Sequence, residues 1–281
     1  MLKSILTQKF PNFELKPISG GDINEAFVLI ADSEHYFVKY NSKPVSKDMF
    51  EAESLSLSLL RENDVRAPKP IEVLSKGQAA CLILEYIKPA QFGVRKNYEA
   101  AGTMLAHLHL NNQKSHGWSR HNYIGHLNQS NDQSSHWPEF YINQRIRTQL
   151  INAHTRGYLD LTDMKVGERF CRYWMDKLPH ATPSCLHGDL WSGNLYFDSE
   201  GNPWFIDPAL YYGHHEVDLA MTKLFGSFPK VFYDAYDVIK PRENGEKERL
   251  PIYQLYYLLV HLNLFGLSYK SSCMNIMKNY A

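Results

Sequence analysis

The order of hydrophobic and polar positions divides the chain into two parts. Three short stretches near the N-terminus, 26–30, 35–40 and 79–84, are rich in apolar, aromatic and β-branched residues, which predicts strands. Beyond residue 86 the longest apolar segment, 250–267, contains glutamine, histidine and asparagine, which is typical of a buried helix rather than a membrane span. We therefore expect an α+β protein, with an antiparallel sheet first and a larger, mainly helical part after it.

The regular spacing of side chains along strands and helices predicts that two charged side chains point inward. Lys39 shares a strand face with Phe37, because side chains alternate along a strand. In the helical segment 49–60, Glu53 shares a face with two leucines, whereas Glu51 is aligned less well with the core. A lysine at such a position often lies along the surface with its ammonium in water. The glutamate on the next helix favours an ion pair of Lys39 with Glu53, with Glu51 as the alternative partner.

The stretch 185–194 reads Cys-Leu-His-Gly-Asp-Leu-Trp-Ser-Gly-Asn and contains groups suited to phosphoryl transfer. That reaction needs a carboxylate to orient the attacking hydroxyl and accept its proton, and oxygen ligands for magnesium. Asp189 fits the base, and Asn194, five residues later, fits a metal ligand with the spacing that protein kinases use. The stretch therefore predicts a kinase catalytic loop.

A second carboxylate follows one predicted hairpin later. The strand-like segments 195–197 and 204–206 are separated by a turn rich in glycine, asparagine and proline, so the hairpin would hold Asn194 beside Asp207. Taken singly, an aspartate or asparagine is more often a turn residue than a ligand. The joint order of base, amide and strand-terminal carboxylate favours phosphotransfer, with Asn194 and Asp207 as magnesium ligands.

Two further features occupy positions expected for ATP binding. Gly20 and Gly21 lie in a polar turn one strand ahead of Lys39, and glycine lets a backbone approach phosphates closely. A glycine pair by itself is typical of a hairpin turn. The buried strand 79–84 ends shortly before a proline, as expected for a connector between two lobes. The candidate adenine contacts on this connector are Glu85, Tyr86 and Ile87.

Together these residues resemble the fructosamine kinase family, which is related to aminoglycoside and choline kinases, and the resemblance covers nearly the whole chain. Trp191, the segment 207–221 and the Asn-Tyr-Ile-Gly sequence at 122–125 favour this family over its relatives. The resemblance implies a bilobal protein-kinase-like fold. Its nucleotide-binding lobe would span residues 1–86, and its catalytic and substrate lobe would span 87–281.

The resemblance also implies an activity. Members of this family transfer the γ-phosphate of ATP to a sugar hydroxyl, typically O3, of ketosamines such as fructosamine or ribulosamine, in deglycation or repair. The acceptor would be a small-molecule ketosamine or a glycated lysine. The matching positions are Asp189 as base, Asn194 and Asp207 as Mg²⁺ ligands, Lys39 as phosphate ligand and Glu53 as its partner.

Residues close to the catalytic stretch are candidates for substrate contact or support. Trp191 could stack on the sugar or fill the cleft wall. His214 and Glu216, with His215 between them, could suggest a metal site, but their position shortly after the Asp207 strand favours lining of the substrate cleft or capping of a turn. The resemblance gives Asp218 a role in supporting the catalytic loop.

Composition limits the possible partners. Thirty basic and thirty acidic side chains give a formal net charge of zero, so no electrostatic footprint for nucleic acid or anionic membrane is present. The four cysteines are widely spaced without a CxxC pattern, which predicts free thiols and suits a reducing cytoplasm. The first ten residues do not resemble a cleavable signal. Nothing in the sequence specifies an oligomeric state.

Two alternatives stay open at this point. The first is a small-molecule kinase of the aminoglycoside or choline kinase type, and acidic residues lining the cleft would favour such a cationic acceptor. The second is a non-catalytic nucleotide-binding protein, which the presence of the lysine, the base and both metal ligands disfavours.

Overall fold

The computed structural model describes residues 1–18 and 23–280. A short helix begins the chain, and strands with one long helix follow it. In order, these elements are α1 (Leu2–Leu6), β1 (Glu14–Ile18), β2 (Glu25–Ala31), β3 (Glu34–Asn41), α2 (Ser46–Glu62), β4 (Pro70–Lys76) and β5 (Ala79–Glu85).

The strands described in this first part form one antiparallel sheet in the order β1-β2-β3-β5-β4. Because side chains alternate, the two sheet faces have different neighbours. Val38 and Ile83 face a cluster that includes α1, whereas Leu82 belongs to the cluster that includes α2. Lys39 is paired in register with Leu82, so its side chain also lies on the α2 side of the sheet.

The second part is mainly helical. It contains a π-helix (Tyr141–Arg147) and a 3-10 turn (Leu267–Tyr269). The remaining elements are α3 (Tyr98–Leu108), β6 (Asn122–Ile124), β7 (Leu127–Gln129), α4 (Trp137–Phe140), α5 (Thr148–Thr155), α6 (Leu161–Lys177), β8 (Ser184–Leu186), β9 (Leu195–Phe197), β10 (Pro203–Phe205), β11 (Tyr211–Gly213), α7 (Glu216–Leu224), α8 (Lys230–Ile239), α9 (Glu246–Phe265) and α10 (Lys270–Asn279).

Hydrophobic packing joins the sheet to the helical part. One cluster of buried residues combines Leu57 of α2 and Leu82 of β5 with Leu195 of β9 and Phe205 of β10. The hairpin at the end of the catalytic loop is therefore packed against the N-terminal sheet and its helix. Burial of this apolar surface, worth about 25 cal/mol per Å², stabilises their relative position.

The expected order of a sheet followed by a mainly helical part is confirmed. The apolar segment near the C-terminus forms α9, which is buried on several sides. Within the described ranges, no helix combines the length and hydrophobicity that a membrane span requires. The strand expected at 204–206 is observed one residue earlier, as Pro203–Phe205, because Asp207 turns the chain with a φ of 56°.

Candidate active site

The catalytic loop, residues 187–194, connects β8 to β9 and is held at its start by Asp218. The backbone N–H groups of His187 and Gly188 donate to the two carboxylate oxygens of Asp218, at 2.7 and 2.9 Å. Asp218 lies in the first turn of α7 and is fully buried. A buried carboxylate is stable only with such donors, so the aspartate and the loop backbone fix each other.

A third donor reaches Asp218 from α3. His109 Nε2 lies 3.1 Å from Asp218 Oδ2, and His109 Nδ1 lies 2.7 Å from the hydroxyl of Tyr236. Because the carboxylate can only accept, Nε2 carries the proton and Nδ1 accepts from the tyrosine. Burial lowers the pKa of His109, in keeping with a neutral ring that orients the aspartate.

His187 braces the loop in the same way. Its Nε2 donates to the carbonyl of Ile206 at 3.0 Å, which leaves Nδ1 to accept from the N–H of Asp189 at 3.2 Å. Gly188 next to it has a φ of +84°, and a Cβ at this position would lie 2.0 Å from the carbonyl oxygen of Ala209. Only glycine fits this turn, so the backbone that precedes Asp189 has one conformation.

Asp189 is partly buried beside Asn194. The side-chain nitrogen of Asn194 donates to the backbone carbonyl of Asp189 at 2.8 Å and to its carboxylate at 3.2 Å. Burial raises the pKa of Asp189 well above its usual value, and the negative charge of Asp207 raises it further. The carboxylate therefore holds a proton more strongly than an ordinary aspartate, which suits a base that works near neutral pH.

The hairpin of β9 and β10 brings Asp207 to the same place. Its strands pair antiparallel, and the N–H of Ile206 donates to the carbonyl of Asn194 at 3.1 Å, directly at the hairpin's base. Asp207 adopts the left-handed region, which aspartate tolerates better than most residues do. Asp189, Asn194 and Asp207 thus belong to one continuous segment.

Lys39 reaches this group from the sheet. Its Nζ lies 2.6 Å from Glu53 and 2.6 Å from Asp207, and its side chain is 8% exposed. Burial disfavours the charge on Lys39, but the carboxylates of Asp207 and Glu53 outweigh burial and raise its pKa. The ammonium is therefore charged and bridges the helix α2 to the end of the hairpin.

These residues line a cavity of about 1090 Å³ between the sheet and the helical part. The connector after β5 closes one side of it. The N–H of Glu85 donates to the carbonyl of Lys69 at 2.9 Å, and the carbonyl of Ile87 accepts from the hydroxyl of Tyr196 at 3.2 Å. Among the described residues, the N–H of Ile87 has no protein acceptor. Tyr86 lines the cavity together with both of its neighbours.

The opposite wall is aromatic, and apart from Trp191 its residues were not predicted from the sequence. Trp191 is partly exposed and meets Phe225 edge to face, with ring centroids 6.3 Å apart. Phe225 lies 4.5 Å from the ring of His261, which in turn lies 5.2 Å from that of Tyr269. Phe265 completes this wall. Helix α9 carries His261 and Phe265, the 3-10 turn after it carries Tyr269, and Phe225 directly follows α7. No local spacing in the sequence connects these four residues with the catalytic loop.

The remaining predicted site residues are Gly20, Gly21, His214 and Glu216. Gly20 and Gly21 are outside the described residues. The expectation that His214 and Glu216 line the substrate cleft is corrected, because both are buried away from the cavity. Glu216 accepts two hydrogen bonds from Arg249, at 2.6 and 2.7 Å, and His214 Nδ1 lies 2.7 Å from the hydroxyl of Tyr253. The position of these two residues shortly after the strand that leads to Asp207 was a misleading signal, because the chain turns inward at β11.

Replacement of Glu53 by glutamine is expected to lower kcat/KM for ATP by about tenfold or more, since a charge-assisted bond that orients Lys39 is weakened. The matched control is Glu51→Gln on the same helix, because the ion pair that Glu51 makes within the described residues is with the exposed Lys47. Steady-state kinetics with varied ATP would measure both variants. Equal kinetics for the two would contradict the role of Glu53.

Comparisons with known proteins agree with this geometry. The family model for fructosamine kinase matches residues 1–281. A probable ketoamine kinase of Enterococcus faecium is 37% identical over 281 residues, which is 99% of each chain. Ketosamine-3-kinase of Mus musculus is 35% identical over 92% of each chain.

A crystal structure from Haemophilus somnus with a provisional fructosamine-3-kinase assignment is also similar. It superimposes with a TM-score of 0.85 at 26% identity, over 99% of this chain and 96% of the other. The bilobal protein-kinase-like fold expected from the sequence is thereby confirmed. The chain belongs to the fructosamine kinase family.

Proposed function

We propose that this protein is an ATP-dependent ketosamine kinase that phosphorylates a sugar hydroxyl, O3, of ketosamines such as fructosamine or ribulosamine. One observation carries the proposal: a partly buried carboxylate, an amide, a second carboxylate and a charged lysine converge on one cavity. Phosphoryl transfer needs this set of groups because its catalysis is mainly positioning and electrostatic stabilisation.

The nucleotide side of the cavity is the sheet, within a proposed nucleotide-binding lobe of residues 1–86. Side chains of Ala26, Val28 and Leu84 line this region and offer an apolar surface for adenine. The N–H of Ile87 is the proposed hydrogen-bond donor to adenine. Lys39 would contact the phosphates while Glu53 holds its ammonium, and the catalytic and substrate lobe, 87–281, supplies the other wall.

Asn194 and Asp207 fit a magnesium ion. The nitrogen of Asn194 is directed to Asp189, so its oxygen is available as a ligand, and Asp207 contacts Lys39 through Oδ1. Oxygen ligands of this kind are those that magnesium prefers. When bound, the ion would neutralise charge on the phosphates. Asp189 would orient the acceptor hydroxyl and take its proton as the new oxygen–phosphorus bond forms and the bond from the γ-phosphorus to the bridging oxygen of ADP breaks.

The acceptor side favours a ketosamine over a polycationic aminoglycoside. Among the described residues that line the cavity, the acidic ones are Glu53, Glu85, Asp189 and Asp207. Glu85 accepts from the backbone of Lys69 at 3.0 Å, and the other three belong to the phosphate and catalytic centre. The acceptor wall also carries Trp191, Phe225, Phe265 and Tyr269, whose rings can stack on one sugar, and no further carboxylate among the described lining residues would pair with the several ammonium groups of an aminoglycoside.

Free thiols support a cytoplasmic location. All four cysteines are buried and unpaired, and burial raises the pKa of each thiol to about 12. Such thiols are poor nucleophiles, so they serve as apolar packing residues. A reducing compartment would keep them in this state.

The test of the proposed function is ADP release with ATP, magnesium and a panel of acceptors: ribuloselysine, fructoselysine, choline, an aminoglycoside and no acceptor. We expect turnover on ketosamines only. Turnover confined to choline or the aminoglycoside would show that the protein is a kinase but that its acceptor is not a ketosamine. Absence of turnover together with nucleotide-induced thermal stabilisation would support a non-catalytic nucleotide-binding protein instead.

The carboxyl group of Asp189 in the free enzyme is expected to titrate above the ordinary range for aspartate, because burial raises its pKa and Asp207 adds to the effect. Turnover would therefore fall as pH decreases through this raised pKa, since protonation removes the base. Carboxyl ¹³C NMR would measure it, with the signal assigned by its loss in Asp189→Asn.

A second variant separates the two causes of this shift. Asp207→Asn removes the neighbouring negative charge, so the titration of Asp189 should move to lower pH while burial keeps it above the ordinary value. Asp234→Asn, an exposed site paired with Lys230, is the control and should leave the titration unchanged. A carboxyl of Asp189 that titrates near pH 4 in the unmodified protein would refute the prediction.

A further inference from the structure

Two adjacent histidines immediately before α7 lie outside the cleft and have no role in the proposed phosphoryl transfer. His214 and His215 are 1% and 2% exposed. Glu243, in the loop between α8 and α9, lies next to them with its side chain 48% exposed. Because the carboxylate of Glu243 lies beside the buried histidine pair and is also exposed, one side of this cluster is open to solvent.

The three side chains are close enough to share one ion. One possible ligand atom from each lies within 4.8 Å of those of the other two. His214 Nε2 is 3.4 Å from Glu243 Oε2, and His215 Nδ1 is 3.9 Å from Glu243 Oε1. Ligand atoms of a four-coordinate zinc ion are separated by roughly 3.3–3.5 Å, given bond lengths of about 2.0–2.1 Å. Small rotations of the exposed glutamate would bring the set together.

The histidines also lack the hydrogen bonds that buried rings normally make. Within the described residues, the Nε2 atoms of both His214 and His215 are buried without a hydrogen-bond partner, and Nε2 of His214 is the nitrogen that faces Glu243. Buried polar side-chain atoms are usually paired. A metal ion accepts the lone pair of a neutral imidazole and would satisfy a buried ring nitrogen that has no hydrogen-bond partner.

A supporting contact already orients one ring. His214 Nδ1 lies 2.7 Å from the hydroxyl of Tyr253, and the indole N–H of Trp137 donates to the same hydroxyl at 3.0 Å. Histidines that bind metal characteristically use their other nitrogen in this way, which fixes the ring and directs Nε2 at the ion.

The positive charge of two nearby arginines is offset in part, because each arginine is paired with carboxylates. Arg249 makes two hydrogen bonds to Glu216, at 2.6 and 2.7 Å. Arg242 contacts Asp237 and lies 2.6 Å from Glu246. Glu243 is therefore not needed to neutralise either arginine and is available as a ligand.

We propose that His214, His215 and Glu243 form a binding site for a zinc-class transition metal ion, separate from the magnesium site in the cleft. Two imidazole nitrogens and one carboxylate suit zinc, whereas magnesium and calcium prefer oxygen alone. Water on the exposed side of Glu243 completes the coordination. The ion would join the loop 240–245 to the start of α7, the helix whose Asp218 holds the catalytic loop.

The experiment uses untagged protein stripped with a chelator and titrated with Zn²⁺ against a fluorescent zinc indicator, without nucleotide. We expect one equivalent to bind and the melting temperature to rise. Glu243→Gln, at a half-exposed position that folding tolerates, should weaken binding at least tenfold. His121→Asn is the control, because that exposed histidine lies 3.8 Å from the carboxylate of Asp132 but, among the described residues, belongs to no group of three metal-binding side chains.

Substitution with Co²⁺ adds a spectroscopic measurement. Strong visible absorption of a four-coordinate ion that is lost in Glu243→Gln and kept in His121→Asn would support the site. Binding that Glu243→Gln leaves intact, or that only Asp207→Asn abolishes, would overturn it, and so would absence of one-equivalent binding. None of these readouts depends on phosphoryl transfer, so failure of this site is distinguishable from failure of the proposed function.

Discussion

Replacement of Asp189 by asparagine is expected to lower turnover by about 100-fold or more while ATP still binds, because the positioned proton acceptor is lost. Asparagine has nearly the same shape, so the contact from Asn194 to the backbone carbonyl of residue 189 should persist. The loop itself is held by Asp218 and should keep its conformation. Coupled ADP release would measure turnover, and calorimetry would measure nucleotide affinity.

Asp234→Asn is a suitable control for this variant, since it makes the same chemical change at an exposed surface pair. It should retain full turnover. If Asp189→Asn also retained full turnover, Asp189 would not be the base. If instead both nucleotide binding and thermal stability fell, the residue would have a structural role.

Replacement of Asp207 by asparagine is expected to lower turnover by about 100-fold or more and to weaken the dependence of ATP binding on magnesium, because a carboxylate ligand becomes a neutral amide. Asparagine is preferable to alanine at this site. The residue has a φ of 56°, which asparagine tolerates well, so the effect reports charge rather than backbone strain.

Thermal shift with ATP, with and without magnesium, would measure this dependence. Glu53→Gln provides the comparison, because it also removes a carboxylate from Lys39 but leaves the proposed ligands in place. Its magnesium dependence should match that of the unmodified protein. An unchanged magnesium dependence in Asp207→Asn would exclude the residue as a ligand.

The parts of the fold that depend on local pattern could be predicted from the sequence. The alternation that puts Lys39 on the face of Phe37 and the helical spacing of Glu53 are both local, and the structure brings these two charges to 2.6 Å. The hairpin between Asn194 and Asp207 is equally local, since strands and turn are contiguous in the chain. Each inference needed only the spacing of side chains along one strand or helix, or the order of neighbouring segments in the chain.

The parts that depend on long-range packing could not be predicted. The contact of Lys39 with Asp207 joins residues of the two lobes, and nothing near either residue specifies it. His261 and Tyr269 reach the cleft because α9 packs through the helical core. The prediction that His214 lines the cleft was wrong for the same reason, because the strand pair of β8 and β11 directs the chain inward.

The catalytic hairpin has a further consequence for how the enzyme could release its product. Asp189, Asn194 and Asp207 are held to one another by contacts within a single short segment, whereas Lys39 reaches them from the sheet. A rotation of the sheet away from the helical part would break the Lys39–Asp207 contact and leave the other three groups in register. Opening of the cleft would thus free the nucleotide, and the catalytic geometry would not have to be rebuilt in each cycle.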